Sequence, residues 1–118
     1  MLLPNEERQI ARYSEMYGVD PYLIRAIRLA GNGTNGREYG VVDVNTHSKL
    51  DQLKVCCANT RNSLVRFKGR QLKMVYSNVG VKRIVYTAAF LKYLGESHGT
   101  DWSERVSFTY YAQVKDDG

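Results

Sequence analysis

Between Tyr17 and Gly33 the chain specifies both ends of one short helix, and no other segment restricts the fold as much. Tyr17-Gly18-Val19-Asp20-Pro21 reads as a tight turn into Leu23, Ile24 and Ile27, three apolar residues at helical spacing. Asp20 offers its carboxylate to the free amides of the first turn. Pro21 suits the first helical position, where no amide is required. Gly31 and Gly33 end the helix. The run from Gly31 to Gly40 holds four glycines and two asparagines, which excludes regular structure because these residues serve where the backbone must turn to positive φ. A long irregular loop in so short a chain is expected to be functional.

Helical spacing recurs on both sides of that loop. A first helix follows Asn5, with Ile10, Tyr13 and Tyr17 on one face, and Gly18 ends it. Beyond the polar segment Asp43–Ser48, a third and longest helix carries Leu50, Leu53, Cys57, Leu64 and Phe67 along one face up to Gly69. Arg70–Gly80 is compatible with a short helix or with a loop containing an extended piece. Val81–Leu94 reads as a helix with Ile84, Val85, Ala88 and Leu91 inward. Asp101 is placed to cap a last helix carrying Trp102, Val106, Tyr110 and Val114, and the tail from Lys115 is expected to fray. The expected architecture is mainly α, a single domain over residues 1–118 with five or six helices.

Composition narrows the function classes. A chain of 118 residues can bury one core without staples, and no apolar run approaches the length of a membrane span. The N-terminal residues lack a basic region before an apolar stretch and do not read as a secretory signal; the chain is expected to stay in a cytoplasm, to be carried in a virion, or to be exported by a route not written here. Cys56 and Cys57 are neighbours within a helix, where their side chains diverge. They read as buried thiols, not as a staple. Two histidines, His47 and His98, far apart in sequence give no metal-ligand spacing, and nothing calls for a cofactor. The net charge of +5 favours a polyanion: nucleic acid, anionic membrane, or bacterial cell wall. Lys54, Arg61, Arg66, Lys68, Arg70, Lys73, Lys82 and Arg83 make the middle of the chain basic, but no nucleic-acid docking motif accompanies them, so nucleic acid is disfavoured.

The Tyr17–Gly40 segment resembles the opening of the lysozyme-like domain of soluble lytic transglycosylases, especially small phage and prophage members. There a Tyr-Gly-Val-Asp-Pro turn starts a helix that ends in a catalytic glutamate followed by Ser-Gly or Asn-Gly. Glu38-Tyr39-Gly40-Val41 is similar to the Glu-Phe-Gly-Val element after that helix. The likeness continues more loosely through Ala58–Asn62 and Gly95–Tyr111. The resemblance implies a lysozyme-like fold and cleavage of peptidoglycan glycan strands by a single glutamate acting as acid and then base. That glutamate is missing: its place falls on Gly31 when the alignment is anchored on Asn32-Gly33, and on Ala30 when anchored on Arg28.

Glycoside cleavage needs a carboxyl group that delivers a proton to the leaving oxygen. Neither Gly31 nor Ala30 can do so. Glu38, in the same loop beside Tyr39, is the candidate surrogate acid; its competing role is structural, pairing with Arg37, Arg25 or Arg28. Asp43 and Glu96 sit near turns and are weaker candidates. His98 beside Ser97 lacks a nucleophile-elbow pattern. Asn32, Tyr39, Tyr110 and Tyr111 are the candidate substrate-binding residues, since aromatic faces stack on pyranose rings, although Tyr110 also falls at core spacing. Two function classes follow. One is a degenerate lysozyme-fold protein that binds murein or a host protein; the other is an active glycan-strand cleaver using Glu38 or another surrogate.

Overall fold

A computed structural model describes residues 2–31, 34–42, 45, 48–97 and 101–117. The elements run α1 (Pro4–Tyr17), α2 (Pro21–Ala30), α3 (Lys49–Arg66), β1 (Lys73–Asn78), β2 (Val81–Tyr86), α4 (Ala88–Leu94), a 3-10 turn (Gly95–Ser97) and α5 (Trp102–Asp117). The chain is thus mainly helical with one small antiparallel sheet. It divides into two compact units, Met1–Asn62 and Ser63–Gly118.

In the first unit α1 packs against α2. Helix α2 has the anticipated ends: the Asp20 carboxylate accepts from the Tyr22 amide at 2.9 Å, and Pro21 opens the helix. Leu23, Ile24 and Ile27 are buried as their spacing requires. Gly18 closes α1 at φ 68°, the left-handed conformation that favours glycine. The Arg61 guanidinium donates to the Tyr17 carbonyl at 3.2 Å, placing a cation at the C-terminal end of α1. On α3 the buried residues are Gln52, Leu53, Cys56, Cys57 and Thr60. The inward stripe is therefore rotated from the expected one, since Leu50 and Leu64 are only half-buried. Both cysteines are free thiols.

The second unit contains the main departure from expectation. Val81–Leu94 is not one helix. Its first six residues form β2, paired in register with β1 from Lys73↔Tyr86 to Asn78↔Val81, and helix begins only at Ala88. Val81, Ile84 and Val85 fit a helical face by spacing, but their β-branched side chains suit a pleated strand better. The two-residue turn Val79-Gly80 supplies the reversal. Both of its residues have positive φ, 48° and 80°, the mirror-image turn that matches strand twist. Val79 is the lone non-glycine residue at positive φ among the described residues, at a cost of about 1 kcal/mol.

Thr87 joins the hairpin to α4. Its hydroxyl accepts from the Phe90 amide at 3.2 Å and donates to the Gln71 carbonyl at 2.8 Å. Helix α4 packs on α5, whose Trp102, Val106, Tyr110 and Val114 are buried as expected. Helix α5 runs through Asp117, past the point where fraying was anticipated. Among the described residues no helix is long and apolar enough to cross a membrane.

Candidate functional site

The exit of α2 and the loop beyond it hold the residues singled out by the sequence. Gly31 is exposed and sits at φ −81°, ψ 174°, a conformation open to any residue. A Cβ there would lie 3.4 Å from the Ile27 carbonyl, 3.6 Å from that of Arg28 and 3.7 Å from that of Glu38, all ordinary contacts. Nothing in the backbone therefore demands glycine at the end of this helix. Gly40, by contrast, turns the chain at φ 75°.

From Thr34 the loop folds through two consecutive turns, the Arg37 amide donating to the Thr34 carbonyl at 2.9 Å and the Gly40 amide to the Arg37 carbonyl at 3.1 Å. Among the described residues its inner edge has no strand to pair with. Gln52, wholly buried on α3, takes that part: its Oε1 accepts from the Tyr39 amide at 3.2 Å and the Val41 amide at 3.0 Å, and its Nε2 donates to the Val41 carbonyl at 2.8 Å. One side-chain amide thus satisfies three backbone groups that burial would otherwise strand.

Glu6 anchors the same loop from α1. Its buried carboxylate accepts from Arg28 Nε at 2.8 Å, the Tyr39 hydroxyl at 2.8 Å and Lys49 Nζ at 3.2 Å. Burial by itself would raise the Glu6 pKa, but the hydrogen bonds from these three donors outweigh it and hold the carboxyl below its ordinary value. Glu6 is therefore an acceptor locked in the ionised form, not a proton donor. The Tyr39 phenol moves the opposite way: burial, then the Glu6 carboxylate, push its pKa well up. Arg25 pairs with Glu7 at 2.9 Å beside this cluster.

Of the anticipated site residues, Glu38, Tyr39, Tyr110 and Tyr111 fall among those described. Glu38 is buried, at 9% exposure, and its Oε1 has no hydrogen-bond partner among the described residues. Arg25 and Arg28, proposed counter-ions for Glu38, are engaged by Glu7 and Glu6. Tyr39 is 1% exposed with its hydroxyl on Glu6, so it presents neither face nor hydroxyl to a ligand. Tyr110 is fully buried, and its hydroxyl accepts from the Tyr86 amide at 3.1 Å. Tyr111 is half-buried; its hydroxyl donates to the Tyr86 carbonyl at 2.6 Å, and burial raises its pKa. Its ring stacks on Tyr76 at 6.4 Å, and both line an open depression of about 540 Å³ in the second unit, with Phe108 and Lys115 also on the rim. Asn32, Asp43, His47 and His98 lie outside the described residues.

Glu38 and Tyr39 are thus joined to the Gly31 loop, while Tyr110 and Tyr111 belong to the second unit. The residues that sequence reasoning passed over are Glu6 and Gln52. Glu6 stands four positions before Ile10, on the inward stripe of α1, and a carboxylate there is the signal of a buried ion pair. Gln52 precedes Leu53 on α3 with no comparable mark. Among the described residues no three His, Cys, Asp or Glu side chains are grouped to hold a metal ion. Comparison of the chain with protein-family models, curated proteins and solved structures finds no match to any of them.

Proposed function

We propose that the chain is a lysozyme-like protein of the phage or prophage lytic transglycosylase kind that has lost its cleavage chemistry and acts by binding, to murein or to a host protein. Gly31 carries this reading. It occupies the helix end where a catalytic glutamate is expected, in a conformation that any residue adopts, so the side chain is absent for reasons other than backbone need. The carboxylates around it support the same view. Glu6 is held as an ion by three donors and Glu38 is buried. The aromatic depression beside Tyr76 and Tyr111 is a suitable place for a sugar ring to rest.

Active cleavage through Glu38 is the second reading, favoured by one observation: the unpartnered Oε1 of that carboxyl. Muropeptide release from purified peptidoglycan separates the two. The unmodified chain is expected to release nothing, and Gly31→Glu to release products with anhydro-sugar ends. Anhydro-ended products from the unmodified chain that vanish in Glu38→Gln would establish the enzyme instead. If neither the parent nor Gly31→Glu cleaves or sediments with peptidoglycan, a protein partner remains.

A further inference from the structure

We infer that the β1–β2 hairpin is a peripheral docking element for an anionic lipid surface. The starting observation is Val79. A two-residue turn with both φ values positive is best served by Asn-Gly, and a β-branched residue is among the poorest choices for its first position. Here that position holds valine at φ 48°, with its side chain 91% exposed. The isopropyl group stabilises nothing in the fold and strains the backbone. Strain retained at an exposed position points to a role outside the fold.

The rest of the hairpin fits that role. Register and alternation place Lys73, Val75, Ser77, Lys82, Ile84 and Tyr86 on one face. Tyr86 is buried, so the face is covered at its base and bare toward the turn. Val75 and Ile84, directly opposed, are each 59% exposed; Val81, on the other face beside the turn, is 41% exposed. Lys73 and Lys82 bracket the Val75–Ile84 pair, and neither has a carboxylate partner among the described residues. From Ser63 to Gly95 the sequence contains seven lysines and arginines and no aspartate or glutamate. The hairpin's own segment therefore carries only cations, while Asp116 of α5 lines the depression with Tyr76 on the hairpin's other face.

Depth decides between a bilayer and an acidic protein. A stable protein interface needs about 800 Å² from each partner. Four separated β-branched side chains interleaved with lysines offer neither that area nor a formed pocket. A lipid surface asks only for apolar atoms reaching about 5–10 Å into the headgroup–acyl boundary, with cations behind them. Lys82 follows the turn by two residues, about 7 Å along the strand. With Val79 at the acyl boundary, Lys82 lies that far back, at the level of the lipid phosphates.

Sedimentation with vesicles tests this. The full chain is expected to bind vesicles of phosphatidylglycerol mixed with phosphatidylcholine at low salt, to be weakened by added salt, and to leave pure phosphatidylcholine unbound. Lys73→Gln and Lys82→Gln each lower affinity about fivefold. Val79→Asn lowers it about tenfold while the thermal midpoint stays equal or rises, because asparagine relieves the turn. Val79→Ala reports the same loss if the first variant folds poorly. No binding to anionic vesicles by a chain folded by circular dichroism would overturn the inference, as would full binding by both Val79 variants. Retention by polyglutamate or an RNA oligomer with vesicles left unbound would also overturn it. Peptidoglycan sedimentation by the Val79 variants is expected to match the parent, so this inference and the murein reading fail separately.

Discussion

The loop of the first unit and the hairpin of the second face one physical problem with opposite solutions. Each must satisfy backbone groups outside any helix. In the hairpin the backbone does this with itself, six residue pairs in antiparallel register. In the loop, beyond two turn bonds, a side chain sent from α3 does it: Gln52 completes the peptide groups of Tyr39 and Val41, while Glu6 of α1 ties the Tyr39 hydroxyl to Arg28 and Lys49. A backbone ladder tolerates many sequences, whereas a surrogate built from one side chain tolerates few. The loop should therefore be far more sensitive to single substitutions.

Glu6→Ala is the sharpest way to break that contrast. It leaves the Arg28 guanidinium without its buried partner and is expected to destabilise the chain by about 3 kcal/mol in urea unfolding. Gln52→Leu comes next, at about 2 kcal/mol, because three buried peptide groups lose their partner at once. Amide exchange should localise this second loss, with faster exchange at Tyr39 and Val41 and little change at Val85. Equal acceleration at Val85 would mean that the loop and the hairpin are not held in different ways.

Acid sharpens the same comparison. The folded pKa of Glu6 lies below its ordinary value of 4.5, so its contribution is fully present above the unfolded value and is lost as pH falls through the folded one. A pH series of urea midpoints should fall below about pH 4.5 in the parent and more shallowly in Glu6→Gln. A parallel fall in both proteins would place the acid sensitivity elsewhere. Tyr110→Phe is the smallest effect, about 1 kcal/mol, since Tyr86 keeps its place opposite Lys73 after losing the hydroxyl. Thermal unfolding is sufficient to read it.

The same division governs what could be read from the amino acids. Helix α2 was fully legible: its cap, its opening proline and its stripe of Leu23, Ile24 and Ile27 act within a few residues of one another. So was the buried face of α5, where Trp102, Val106, Tyr110 and Val114 recur every four residues. The hairpin was not, because Ile84, Val85 and Leu91 satisfy helical spacing equally well, and only pairing with the preceding strand, as from Ile84 back to Val75, excludes it. The loop's fastenings were less legible still. Gln52 lies 13 residues from Tyr39 and Glu6 lies 33 from it, so no local pattern joins them. Tyr39 and Tyr110 stand as candidate ligand residues by sequence, Tyr110 at core spacing as well, because aromatic content alone does not say which way a hydroxyl is spoken for.

The paired sulfhydryls of α3 carry a kinetic consequence. Cys56 and Cys57 are buried; burial pushes the Cys57 pKa up to about 11, and burial then the neighbouring Cys57 raise that of Cys56 further. Since only the thiolate attacks, both are nearly inert at neutral pH while the helix is closed. Each reaction with an aromatic disulfide reagent then marks one opening of α3. The chain carries its own clock for that helix, with no label introduced.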